Sequence, residues 1–288
     1  MNNKGISEII KNKTCLSCEV FPPKKTSPIE TIYNTLDDLK NIPWDFISVT
    51  YGAGGSNVGV STVDIASTIQ DKYDIKAMAH LPCINYTKDE ILNILDEFQK
   101  HNIKNILALR GDINPNIEPK NDFTHACDLI QFIKQHGDFH ISGACYPEGH
   151  LESESLAQDI KYLKYKVDCG AEHLISQLFF DNNSFYDFKE KCEIANIKVP
   201  IEAGIMPVTN KKQIERMISL CGASLPRKFT KMMQKYEDSP EAIRDAGIAY
   251  AIDQIIDLVA NGVDGIHLYT MNNSYIASRI YDAIKNII

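Results

Sequence analysis

The chain has 288 residues, 44% of them hydrophobic, which is ample for one large buried core and fits a single big α/β domain better than two small ones. A net charge of -8 and a pI near 5.5 exclude a general nucleic-acid-binding surface, because phosphate contacts need clustered Lys and Arg. Basic pairs such as Lys24-Lys25 and Lys211-Lys212 read as solvated surface.

The opening residues, MNNKGISEIIKNK, are polar with scattered lysines and hold no apolar signal-peptide core. No stretch approaches the roughly 18 apolar residues of a membrane span, so no membrane contact is expected and the cytoplasm is the expected compartment. The eight cysteines lie mostly in apolar runs and read as reduced core thiols. Cys15-x-x-Cys18 lacks a second Cys/His pair at zinc spacing, so no metal is expected.

Eight β-like runs follow in order: 14–21 (TCLSCEVF), 46–52 (FISVTYG), 76–83 (KAMAHLPC), 105–112 (NILALRGD), 139–147 (FHISGACYP), 173–180 (HLISQLFF), 199–208 (VPIEAGIMPV) and 265–272 (GIHLYTMN). Most are nearly continuous apolar runs, as strands buried on both faces are. Helical patterns fill the gaps. Ser27-Pro28-Ile29-Glu30 and Thr87-Lys88-Asp89-Glu90 carry capping-box signals, and Ser239-Pro240-Glu241 opens a long helix that Gly262 ends. Gly170 and Gly222 read as similar stops. The interval before the last strand has room for helices over 210–221 and 240–261 and a short helical piece around 225–236. Eight alternations predict a parallel sheet closed into a (β/α)₈ TIM barrel, one domain over 1–288. The alternative, an open doubly wound sheet, is disfavoured because no G-x-G-x-x-G follows the first strand and no Walker A motif occurs.

A barrel places its site at the C-terminal strand ends. The residues there include Glu19, Thr50-Tyr51, His80, Arg110-Gly111-Asp112, Tyr146-Pro147-Glu148-Gly149-His150, Gln177 and Tyr269-Thr270-Met271-Asn272. Each has a plain alternative: Glu19 as half of a structural ion pair, His80 as a satisfied core histidine, Asp112 as a cap, Tyr51 and Tyr146 as rim packing. If Glu19 is buried its pKa rises, as a proton donor near neutral pH requires. The strand lysines Lys76 and Lys104 stand at the wrong end for a Schiff base, His80 and His150 make a thin metal-ligand set, and no G-x-S-x-G occurs. An organic cofactor fits better.

The segments 17–23 (SCEVFPP), 48–53 (SVTYGA), 79–83 (AHLPC), 108–112 (ALRGD), 146–150 (YPEGH), 176–181 (SQLFFD), 204–210 (GIMPVTN) and 269–272 (YTMN) resemble, in order, the methylenetetrahydrofolate reductase family. The resemblance implies a barrel that holds FAD without a Rossmann fingerprint. A reduced nicotinamide, NADH or NADPH with NADH favoured, gives hydride to the flavin and leaves; methylenetetrahydrofolate then takes its place and becomes 5-methyltetrahydrofolate, in ping-pong fashion. It assigns catalysis to Glu19, as general acid, and Asp112. FAD contacts fall to Tyr51, Ala53, His80, Arg110, Gly111, Asp112, Ala126, Tyr146, His150, Asp159, Tyr162 and Lys166, with Arg110 and Lys166 suited to the pyrophosphate. Nicotinamide contacts fall to Thr50 and Gln177, and folate contacts to Asp112, Gln177, Gln213 and Asn273. Asn273 departs from the pattern, which often has a basic residue there; Met217 and Met271 stand where aromatics or leucine are common. A homo-oligomer is expected by the same resemblance. No regulatory domain is expected after the barrel. A pterin-binding barrel methyltransferase without flavin, or a folate-binding barrel that has lost its chemistry, are the alternatives.

Overall fold

The structure, a computed structural model, describes residues 5–11, 13–23, 27–51, 61–113, 118–210, 212–213 and 221–288. Eight parallel strands close in sequence order into one barrel: β1 (Cys15–Val20), β2 (Phe46–Val49), β3 (Lys76–Pro82), β4 (Asn105–Leu109), β5 (His140–Cys145), β6 (His173–Ser176), β7 (Ile201–Ile205) and β8 (Gly265–Tyr269). The closing ladder pairs Cys15 with Gly265 and Glu19 with Tyr269. The described helices are α1 (Ile6–Ile10), α2 (Glu30–Leu39), α3 (Thr62–Tyr73), α4 (Lys88–Lys100), α5 (Ala126–Gln135), α6 (Leu156–Asp168), α7 (Asn182–Ile194), α8 (Arg227–Tyr236), α9 (Pro240–Ala260) and α10 (Ser274–Ile284). The expected (β/α)₈ barrel is therefore present.

Local chemistry accounts for most boundaries. The Thr87 hydroxyl accepts the Glu90 amide at 3.2 Å while the Glu90 carboxylate accepts the Thr87 amide at 2.7 Å, so this capping box forms as expected. Ser239 caps α9 with Pro240 in its first turn. The expected box at Ser27 and Glu30 does not form. Ile29 occupies the N-cap of α2 with no side-chain bond, and the Pro28 and Ile29 carbonyls instead accept Thr31 and Ile32 in a tight i→i+3 turn. Gly170, Gly222 and Gly262 follow helix ends with positive φ, as helix stops do.

The strands stop one to four residues before the apolar runs do. The surplus residues leave the ladder and still bury themselves: Leu178 and Phe180 after β6 and Met206 and Val208 after β7 form a second apolar cluster with Phe229, Met233 and Ile243. This cluster seats α8 and the start of α9 on the C-terminal strand ends. At the other end of the barrel Ile6 and Ile10 of α1 pack with Cys15, Phe46, Met78, Leu107 and Ile175 and plug the floor.

Candidate active site

β1 ends by carrying Glu19 to the barrel mouth, where its side chain keeps 20% of its exposure. Burial pushes its carboxyl up to about 7, since nothing nearby compensates the charged form. His80 of β3 faces it, with Nε2 3.6 Å from Glu19 Oε2. That approach is not an ion pair, because burial pushes His80 down to about 4 and leaves it neutral at pH 7. His80 Nε2 is buried and, among the described residues, has no hydrogen-bond partner, which is unlike a satisfied core histidine.

The backbone around Glu19 is held tightly. Thr270 Oγ1 donates to the Glu19 carbonyl at 2.9 Å. The Asn272 carboxamide clasps Phe21, accepting its amide at 3.0 Å and donating to its carbonyl at 2.8 Å. Beside Glu19, the buried Tyr269 hydroxyl donates to the Ser176 carbonyl at 2.8 Å. Its ring lies across Gly204, where a Cβ would come within 2.2 Å of the Ser176 carbonyl oxygen and 2.7 Å of the ring. The glycine in GIMPV thus makes room for the tyrosine in YTMN.

Between the ends of β4 and β5 and the helices α5 and α6 lies a cavity of about 510 Å³. Arg110, Ala126, Tyr146, His150, Asp159, Tyr162 and Lys166 line it, so the structure gathers seven of the twelve residues assigned to a cofactor around one space. Asp159, Tyr162 and Lys166 reach it from one face of α6. Tyr146 and His150 meet edge to face at 4.7 Å, and burial pushes the Tyr146 hydroxyl up to about 12. The two cations on the wall are already engaged. Arg110 forks onto Glu152, Nη1 at 2.5 Å and Nη2 at 2.9 Å, and Lys166 Nζ donates to the Ala144 carbonyl at 2.6 Å. Burial also lowers the Lys166 pKa. The sequence reading missed Glu152; 42 residues separate it from Arg110, and no local pattern links them.

The other assigned residues spread around the mouth. Gly111 follows Arg110 and accepts its Nε at 3.2 Å; Asp112 is exposed beyond it. Tyr51 meets Tyr86 edge to face at 5.8 Å, and the Thr50 amide donates to the Val20 carbonyl at 3.0 Å. Gln177 folds its Oε1 back onto the Leu178 amide at 2.8 Å. Gln213 accepts the Thr209 amide at 3.1 Å. Asn273 caps α10, its Oδ1 taking the Ile276 amide at 3.2 Å, so that oxygen is engaged within the fold. Met271 is 46% exposed with φ +52°. Ala53 and Met217 lie outside the described residues.

The sequence pattern of one family, described as methylenetetrahydrofolate reductase, matches residues 5–285. The chain belongs to the methylenetetrahydrofolate reductase family. It is 34% identical to a 5,10-methylenetetrahydrofolate reductase of Pectobacterium carotovorum subsp. carotovorum over 96% of this chain and 92% of that protein. It is 35% identical to the enzyme of that name from Escherichia coli K12 over 94% and 90% respectively. An Arabidopsis thaliana relative, methylenetetrahydrofolate reductase (NADH) 1, is 35% identical over 93% of this chain but only 48% of its own length. Among solved structures, an uncharacterized Clostridium thermocellum protein that binds two copies of 5-methyl-5,6,7,8-tetrahydrofolic acid superposes with a TM-score of 0.68 at 16% identity over 98% of this chain and all of that one, a likeness of fold.

Proposed function

We propose that this member of the family reduces 5,10-methylenetetrahydrofolate to 5-methyltetrahydrofolate with FAD as resident cofactor and NADH or NADPH as donor, and that Glu19 is the general acid. The observation that carries the reading is the Glu19 carboxyl, pushed up to about 7 by burial at the mouth with a neutral imidazole 3.6 Å away.

The net reaction takes up one proton per turnover, because hydride alone cannot convert a methylene bridge into a methyl group and a free amine. The five-membered ring of the substrate resists hydride until one carbon–nitrogen bond breaks, and the departing nitrogen must be protonated as it leaves. A carboxyl with a pKa near 7 is half protonated at neutral pH and is therefore matched to this task. Tyr269 does not compete, since its proton is committed to the Ser176 carbonyl and burial pushes its pKa well up. The cation left by ring opening favours a nearby carboxylate, the role proposed for Asp112.

The cavity beside β4 and β5 fits a large organic cofactor: its volume is in the range of ligand pockets, its walls offer tyrosine rings, and two cations stand at its edge. Arg110, Ala126, Tyr146, His150, Asp159, Tyr162 and Lys166 would hold FAD there, with Tyr51, Ala53, His80, Gly111 and Asp112 toward the mouth. Bound flavin would supply two-electron hydride transfer between nicotinamide and folate. Thr50 and Gln177 would meet the nicotinamide, and Asp112, Gln177, Gln213 and the free amide nitrogen of Asn273 the folate. A pterin-binding methyltransferase would leave the cavity without a purpose.

The test is the visible absorption spectrum of the purified protein, taken anaerobically before and after NADH and again after methylenetetrahydrofolate. The proposal expects a yellow protein that NADH bleaches and the folate recolours. A protein that takes up no FAD and consumes no NADH would overturn it.

A further inference from the structure

β5 ends at Cys145, and the chain turns at once: the Gly149 amide donates to the Tyr146 carbonyl at 3.0 Å, with Pro147 and Glu148 at the two corners. Pro147 presets the backbone angle of its corner, and Gly149 leaves the turn at φ +87°. On either side of this turn, Tyr146 and His150 line the cofactor cavity. Glu148 reaches elsewhere. Its Oε2 accepts the Ser224 amide at 3.0 Å, 76 residues along the chain, while its Oε1 is buried and has no hydrogen-bond partner among the described residues. The Ser224 amide lies outside any helical ladder, because α8 starts only at Arg227. Leu151 makes a second contact from the same loop: a Cβ placed on Gly222 would come within 2.4 Å of its Cδ2, so the leucine lies against a bare Cα.

The segment 221–224 held in this way belongs to the barrel mouth. Ala223 is buried with Met206 and Val208, which follow β7, and with Phe229 of α8. Burial pushes the Cys221 thiol up and the charge of Asp112 adds to the shift, so Cys221 stands near the loop after β4. Gln213 comes earlier in the same connection between β7 and α8. We propose that Glu148 is a positioning residue for the folate substrate: its carboxylate holds the segment 221–224, and with it the connection that carries Gln213, against the loop of Tyr146 and His150. The proposal rests on the reductase reading above and adds a residue outside those assigned to either ligand. Under that reading folate meets Asp112 and Gln213, which stand on two connections that no sheet ladder joins, whereas the nicotinamide meets Thr50 and Gln177. The latch therefore matters to the folate half-reaction and not to the other. A carboxylate suits the task, because its bond to a backbone N–H is charge-assisted and stronger than a neutral one.

The experiment compares the FAD-loaded parent with Glu148→Ala and Glu148→Gln, each checked by circular dichroism. Single-turnover reoxidation over a range of methylenetetrahydrofolate gives an apparent folate Kd, and reduction by NADH gives the matching values for the nicotinamide. Glu148→Ala should weaken folate about tenfold, the low end for losing a hydrogen bond to a charged group, while the NADH values stay within about twofold. Glu148→Gln keeps an oxygen for the Ser224 amide and should recover folate to within about threefold of the parent. Equal losses in both half-reactions, or a glutamine variant as weak as the alanine one, would overturn the proposal. If the alanine variant does not fold, Glu148→Asp, one methylene too short for Ser224, takes its place with the same expected pattern. A second readout needs no turnover. Cys221 is half-buried in the latched segment, so its alkylation by iodoacetamide, located by peptide mass and referred to Cys169 at the end of α6, should run about tenfold faster once the latch is lost. An unchanged rate at Cys221 would overturn the latch. If the parent reduces no folate, the reductase reading fails, and the labelling then decides the latch by itself.

Discussion

Glu19 and Glu202 are two acids set in the wall of one barrel, and the protein treats them differently. Glu202 of β7 has no exposure, yet it is surrounded. Ser17 donates to its Oε2, and His267 Nδ1 reaches the same Ser17 hydroxyl at 2.7 Å; His173 Nε2 stands 3.1 Å from Glu202 Oε1 without a hydrogen bond between them. Ser142 closes the group with a 2.9 Å contact to His173 Nδ1, and the Phe46 ring stacks on His267. Glu19, two residues up β1 from Ser17, has among the described residues an ion-pair distance to His80 Nε2 alone, at 3.6 Å. Glu202 has a hydroxyl donating to one of its oxygens and a polar cluster around it, which ties three strands together, whereas burial without such a donor shifts a carboxyl's proton affinity. The lower acid therefore serves the fold and the upper one the chemistry.

The largest effect expected from this contrast is on turnover. Glu19→Gln keeps the shape of the side chain and removes its proton, so folate reduction should fall by about 10³-fold or more in rapid-mixing assays, while reduction of the flavin by NADH survives. Unchanged folate reduction would sink the proton-donor role. The same variant should be more stable than the parent at pH 8. The folded carboxyl binds its proton more tightly than the unfolded one, so stability declines as pH rises from about 4.5 to about 7. Above that window the charged, desolvated Glu19 costs on the order of 3 kcal/mol, which urea denaturation at pH 8 should show recovered in part in the variant.

Glu202→Ala should do the reverse. It removes the acceptor of the Ser17 hydroxyl and leaves a hole among Ser17, His173 and His267, which should cost about 3 kcal/mol of stability in denaturant titrations, with kcat per folded molecule within about twofold of the parent. A large loss of kcat in protein shown to be folded would erase the distinction between the two acids. The smallest effect concerns the cavity. Glu152→Gln weakens the carboxylate fork on Arg110 and should tighten FAD about threefold by fluorescence titration, the value of one exposed ion pair. Weaker FAD binding would mean that Glu152 aligns Arg110 rather than competing for it.

The barrel was legible in the sequence because strands covered on both faces must be apolar throughout, and eight such runs alternate with capped helices. Their ends were not legible: Leu178 and Phe180 continue an apolar run after the β6 ladder has stopped, and burial in the α8 cluster imposes the same composition as burial in the sheet. The site was legible where it depends on strand ends, as with Glu19, and on a helical face, as with Asp159, Tyr162 and Lys166. What escaped was pairing across the chain. Glu202 and Glu19 look alike in sequence, each a lone acid in an apolar strand. The arrival of Ser17 from 185 residues away, with His173 and His267 beside it, distinguishes them. Glu152 escaped for the same reason.

The most direct test of Glu19 as proton donor is the pH dependence of the folate half-reaction, followed by single-turnover reoxidation of the reduced enzyme with methylenetetrahydrofolate. Only the protonated carboxyl can act, so the rate should be flat below about pH 7 and fall tenfold per pH unit above it. The half-reaction with NADH should lack this inflection. A folate rate that stays level from pH 6 to pH 9 would contradict the account.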